Sequence, residues 1–120
     1  MHIAYWVVAA LLAALYLYAG GKKLTQSAAQ LAPMMGWVDT IPMPVVRSIG
    51  AVEVAGALGL VLPRLTGIAV WLGAVAAIGF VLLQALGTAL HLSRGEGRVI
   101  GLNVALVVLA AVAAWLTLTW

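Results

Sequence analysis

Residues 45–90 read VVRSIGAVEVAGALGLVLPRLTGIAVWLGAVAAIGFVLLQALGTAL. Residues 45–62 are apolar apart from Arg47, Ser48 and Glu53, and Pro63 with Arg64 is expected to end them in a short turn. Residues 65–90 follow as a second run, long enough to cross a bilayer with some tilt. Working outward, residues 3–19 hold no charge and are bounded by Tyr5 and Trp6 at one end and Tyr16 and Tyr18 at the other. Amphipathic rings favour the membrane interface, so this run reads as a helix of about 25 Å. A cleaved signal peptide is its competing reading, but that needs positive charge ahead of the apolar run, whereas Lys22 and Lys23 come after it. Beyond the polar turn at residues 93–98, residues 99–120 form a fourth run. Spans near 3–19, 45–62, 65–91 and 99–120 predict an all-α integral membrane four-helix bundle, with residues 1–120 as one transmembrane domain.

Composition excludes much else. Apolar residues make up 66% of the chain, charged residues 8%, and mean hydropathy is +1.19, so a water-soluble chain of this length would lack the polar groups to cover its surface. With no cysteine there is no thiol relay, iron–sulfur cluster, thiolate metal site or covalent haem attachment. His2 and His91 are the only imidazoles and both fall at span ends, so neither a bis-histidine haem nor another metal site is expected. The net charge of +3 comes from basic residues scattered at the ends of apolar runs, which is membrane topology and not a nucleic-acid patch.

Those basic residues also set an orientation. Lys22, Lys23, Arg94 and Arg98 lie in the first and third connections, with Arg47 at the mouth of the second span, whereas the opposite side has only Arg64. Lys and Arg resist translocation, so both termini are expected outside the cytoplasm of a cell-membrane protein. Trp71, Trp115 and Trp120 then share a side with Tyr5 and Trp6. The first connection has its own pattern. Leu24, Ala28, Leu31 and Met35 recur at helical spacing opposite Lys22, Lys23, Gln26, Ser27 and Gln30, predicting a short amphipathic interfacial helix from Lys22 to about Leu31. Residues 37–44 are expected to dip back over the bundle as a lid, with Trp37 at headgroup depth.

Inside lipid, hydrophobicity does not drive helices together, so close packing and interhelical hydrogen bonds must. Small residues four apart occur at Ala51, Ala55 and Gly59, at Ala69, Gly73 and Ala77, and at Ala110 and Ala114. These stripes suit helix packing within the bundle or a homodimer surface.

The chemistry, if any, lies with polar groups inside the spans. Counted inward at 1.5 Å per residue, Glu53 is about 12 Å deep, Gln84 about 10 Å and Asn103 about 6 Å, with His91 and Lys23 at the rim. All fall in one membrane half. Gln84, Thr88 and His91 share one face of the third span. Lys23, Glu53, Gln84, Thr88, His91 and Asn103 are therefore the candidate binding residues, and Glu53 and His91 the candidates for acid–base catalysis. An isolated carboxylate at Glu53's depth must be paired, protonated or facing water. Arg47 is a poor partner, about 120° round the same helix, and Lys22, Lys23, His91 or Asn103 are better ones. Each residue also has a structural reading: Glu53 as a helix-bridging ion pair, Asn103 as interhelical glue, Lys23 as a snorkelling anchor and His91 as an interfacial residue.

Taken in order, these motifs resemble the DoxX-like family of small four-span membrane proteins. Gly20-Gly21-Lys22-Lys23-Leu24 is similar to its G-x-x-K-L, and the segment from Glu53 to Leu60 resembles its E-x-x-G-x-x-G-L, with Pro63 shortly after. His91 late in the third span and Asn103 early in the fourth complete the likeness. The resemblance implies the four-span architecture. The family name derives from a subunit associated with quinone-linked oxidation of reduced sulfur, and wider relatives include chaperone-like and cargo-receptor membrane proteins. Without cysteine, a redox role would run through a partner or a bound quinone.

Two functions fit. In one, the protein binds a lipophilic molecule, a quinone or prenyl (isoprenoid) lipid, as a subunit or accessory of a membrane complex; its partners are membrane lipid, that small molecule and a membrane protein or second copy. In the other, Glu53, His91 and Asn103 perform acid–base chemistry on a lipid, such as isomerisation, epoxide opening or cyclisation. Transport has less support, since the far half of the bundle is apolar.

The topology is testable with single cysteines in intact cells. Cysteines at Ser27 and Ser93 should label from the cytoplasmic side and one at Thr66 from the opposite side. Labelling of Ser27 and Ser93 from opposite sides would contradict the even number of intervening spans.

Overall fold

The computed structural model describes residues 2–97 and 100–120. Its long helices are α1 (His2–Thr25), α3 (Met43–Thr66), α4 (Leu72–Ser93) and α5 (Gly101–Leu118). The connector between α1 and α3 carries the one-turn helix α2 (Ala28–Leu31) and a 3₁₀ turn at Gly36–Asp39. All four long helices are long and apolar enough to cross a membrane. Arg98 and Val99, placed by the sequence reading in the polar turn and at the start of the fourth span, lie outside the described residues.

The helices form a ring, each packed on its two neighbours in the order α1, α3, α4, α5 and back to α1. Their directions alternate. Tyr5 near the start of α1 donates a 2.6 Å hydrogen bond to the carbonyl of Leu60 near the end of α3. His2 and Trp120 stack with centroids 3.8 Å apart, which puts both chain ends at one end of the bundle. At this end the core is apolar, built from fully buried Ala9, Leu12, Leu60, Ala77, Ala110 and Ala113. Outward-facing positions such as Val7, Val52, Leu82 and Val108 are large and exposed, as lipid-facing residues are.

Three boundaries differ from expectation. Pro63 does not end the second span; it sits inside α3, which runs to Thr66, so Arg64 belongs to the helix. Proline removes a single backbone donor, and neighbouring groups in a membrane helix can make good that loss. The stop is Gly67, whose left-handed backbone (φ +72°) turns its N–H back to the Pro63 carbonyl at 2.8 Å, and the turn occupies residues 67–71. The third long helix accordingly begins at Leu72 rather than residue 65. At the other end, α1 continues to Thr25 and carries Lys22 and Lys23 with it. The expected helix from Lys22 to Leu31 is thus divided at Gln26 and Ser27, because Ser27 starts α2 with a capping box, its side chain accepting from Gln30 N–H while Gln30 accepts from Ser27 N–H.

Close packing uses glycines more than the alanine stripes. A Cβ on Gly20 would lie 2.8 Å from the Gly50 carbonyl oxygen, and one on Gly50 would lie 2.8 Å from that of Gly20. Gly56 makes room for the Phe80 ring, and Gly59 lies against Ala76. Gly73, Ala77 and Ala110 are buried, but Ala51 and Ala55 point outward and Ala69 lies in the turn before α4.

The crossing of α1 and α3 predicts a selective response to a single methyl group. Gly50→Ala should lower unfolding stability by about 1–3 kcal/mol through overpacking against backbone. Gly21→Ala, whose added carbon meets nothing within 4 Å, should be neutral or slightly stabilising through helix propensity. Unfolding in mixed micelles followed by circular dichroism compares the two, and equal effects would contradict the crossing.

Candidate functional site

Where α1 and α3 touch, each glycine faces the charged residue of the other helix. Gly20 lies against Glu53 Cβ and Gly50 against Lys23 Cβ. The two stems are thereby admitted between closely spaced backbones, and Lys23 Nζ donates to Glu53 Oε1 at 2.6 Å, with side chains only 7% and 4% exposed. Lys23 is therefore not at the rim. The longer α1 carries it into the bundle, where the Trp37 ring from the connector lies over its ammonium, 5.9 Å from the ring centroid. Arg47 leaves Glu53 alone, as expected from its position on the helix. Its guanidinium donates to the carbonyls of Lys23 and Gln26 at 2.6 Å each and so caps the end of α1.

Beside the ion pair runs an uncharged relay. Asn103 Nδ2 donates to Gln84 Oε1 at 2.7 Å, and Gln84 Nε2 donates to the Tyr16 hydroxyl at 2.7 Å. Tyr16 in turn stacks on Phe80 at 3.8 Å, closing the polar half from the apolar core. This sense of donation leaves the Tyr16 hydroxyl proton and the Asn103 carbonyl oxygen without partners among the described residues, as it leaves Glu53 Oε2.

His91 does not reach Glu53. Its Nδ1 lies 3.0 Å from Glu96 Oε1, and Arg94 Nε donates to the same oxygen at 2.9 Å. Those bonds, Arg94's first and His91's second, hold the Glu96 carboxyl below the usual carboxylate range, so it stays ionised at neutral pH. Arg94 also donates to Asp39 Oδ1 and Thr40 Oγ1, both at 2.9 Å, tying the loop after α4 to the connector. Thr88 is not brought in; its hydroxyl donates to the Gln84 carbonyl one turn back.

Lys23, Trp37, Glu53, Gln84, His91 and Asn103 line two adjoining cavities, of about 400 Å³ and about 270 Å³. The larger is roofed by Met34, Met35, Gly36 and Trp37, so the part of the connector over the cavity lies earlier than the expected 37–44 segment, of which only Trp37 lines it. Among the described residues no group of three or more His, Asp or Glu side chains is placed to hold a metal ion. Tyr16, Glu96 and the Arg94–Asp39 tie were missed from sequence. In sequence Tyr16 has the position of an interface aromatic, and nothing in the local pattern marks loop residues as meeting across 55 positions.

The ion pair gives a stability prediction. Lys23→Met should cost about 3–5 kcal/mol by leaving a buried carboxylate unpaired, and adding Glu53→Leu should recover much of that loss. Unfolding in mixed micelles measures both, and a loss under 1 kcal/mol in the single variant would show that Glu53 does not depend on Lys23.

No curated protein and no solved structure matches this chain. The sequence profile of the DoxX-like family matches residues 7–113, a stretch that takes in α3 and α4, most of α1 and α5, and every residue of the cluster. This small four-helix membrane protein belongs to the DoxX-like family.

Proposed function

We propose that the protein binds a lipophilic molecule, a quinone or isoprenoid lipid, in the polar-lined cavities beneath the connector and serves as a subunit or accessory of a membrane complex in the cell membrane, with both termini on the non-cytoplasmic side. The observation that carries this reading is the roofed cavity of about 400 Å³, where apolar side chains such as Leu15, Met34, Leu102 and Leu106 share the wall with a polar set that includes Lys23, Glu53, Gln84, His91 and Asn103. A few convergent polar groups in a mostly apolar cleft suit a hydrophobic ligand with a small polar end. Acid–base catalysis has less support. Its two titratable candidates each have their own partner, Glu53 with Lys23 and His91 with Glu96, and they do not meet each other.

Untargeted mass spectrometry of small molecules retained after gentle extraction tests the reading. A quinone or isoprenoid lipid should co-purify with the wild type. Glu53→Gln removes the charge that holds the Lys23 ammonium in the cavity wall. Loss of one charge-assisted hydrogen bond from that displaced donor to the ligand's oxygen, worth about 1.5–3 kcal/mol, should lower retention per folded protein roughly 10- to 100-fold. Recovery of only bulk phospholipid from both proteins would refute it.

A further inference from the structure

The two cavities lie in opposite walls of the bundle. The larger opens between α1 and α5, flanked by Leu15, Tyr18, Leu102 and Leu106. The smaller opens between α3 and α4, flanked by Ile49, Leu83, Leu86 and Leu90. These are the looser seams of the ring, since α1 packs most closely on α3 and α4 on α5. The bundle is therefore two tight hairpins, and its cavities fill the gap between them at the polar end. Among the described residues, six polar and aromatic ones are common to both linings and form the wall the cavities share.

Among the described residues, the fixed charges that line the cavities already have partners. Lys23 pairs with Glu53, and Glu96 with Arg94, while His91 Nδ1 is engaged at the same Glu96 oxygen. Among the described residues lining the two cavities, no cation is left over for a phosphate headgroup and no carboxylate for an amine. What remains is hydrogen-bonding capacity without net charge to neutralise: the Tyr16 hydroxyl proton, the Asn103 carbonyl and the further N–H groups of the Lys23 ammonium, whose charge Glu53 already offsets. The two ends also differ. The larger cavity has the roof and Tyr16, whereas beyond the shared wall the smaller is lined by aliphatic side chains and Gly87. A Cβ on Gly87 would come within 3.1 Å of Asn103 Nδ2, so a glycine stands where a side chain would crowd the shared wall.

We propose that the two cavities form one passage across the bundle for a single-chain lipid with an uncharged oxygen head. The head sits under Trp37 within reach of Tyr16 and Lys23, and the chain passes Gly87 and leaves into the bilayer between α3 and α4. This rests on the lipid-binding reading above, and it adds the charge class of the head and the direction of the chain.

The test uses the wild-type protein in lipid nanodiscs with two photoreactive long-chain primary alcohols. One carries a diazirine beside the hydroxyl and the other at the terminal carbon, and labelled residues are located by peptide mass spectrometry. The hydroxyl-end probe should label Met34, Met35 or Trp37, and the terminal probe Ile49, Leu83, Leu86 or Leu90. Excess unlabelled alcohol should abolish both signals, and the corresponding alkyl phosphate should compete for neither. Competable labelling of one seam by both probes would overturn the passage while leaving the lipid site standing. Displacement by the alkyl phosphate would overturn the uncharged head. Labelling that resists competition and spreads over outward residues such as Val52 and Val108 would overturn the passage and the lipid-binding reading together.

Discussion

The polar end of this protein depends on the contact of two backbones at Gly20 and Gly50. Without a hydrophobic force between helices in lipid, α1 and α3 can approach closely only where side chains are absent from the crossing. That approach seats Lys23 against Gly50 and Glu53 against Gly20, so two costly charges are buried only with each other. The cavities, the roof and the relay are all arranged around this pair.

Two arginines fix the helix ends on either side of it by similar means. Arg47 caps α1 at the Lys23 and Gln26 carbonyls, holding Lys23 at the depth of its partner. At the opposite end Arg64 donates to the Thr117 carbonyl and hydroxyl at 2.9 Å and lies over the Trp120 ring at 4.1 Å, binding α3 to the end of α5. A third, Arg94, joins the two connections at the polar end. Each satisfies polar groups that lipid could not, which is why a chain with so few charges places most of them at helix termini.

Division of the bundle into two tight hairpins reconciles rigidity with a cavity. Apolar packing, with the Tyr5 hydroxyl bonded to Leu60, holds the terminal end together, and the stacked Tyr16 and Phe80 rings mark where that packing stops. Above the rings the hairpins are bridged by side-chain hydrogen bonds instead of interlocked carbon. Space between them follows, and with it the lining of Gln84, Asn103 and Glu53.

The sequence by itself determined the four long apolar helices, their alternation, and the gathering of Glu53, Gln84, His91 and Asn103 in one half, because hydropathy and depth are sums along the chain. It determined too that Arg47 faces away from Glu53, since helical angle is a local quantity. Helix ends were less legible: Pro63 looked like a stop, but one missing donor weighs less than the left-handed turn at Gly67, and α1 ran on past Gly20 to bring Lys23 inside. Only the tertiary structure decided which stripe of each helix faces inward and which polar groups meet. Ala51 and Ala55 fitted a packing motif yet face outward, while Gly20 and Gly50 set the crossing. His91 shared a helix face with Gln84 and still took Glu96 from the loop. In a chain apolar on every side, lipid accepts nearly any rotation of a helix, so the choice falls to steric fit and hydrogen-bond direction between residues far apart in sequence.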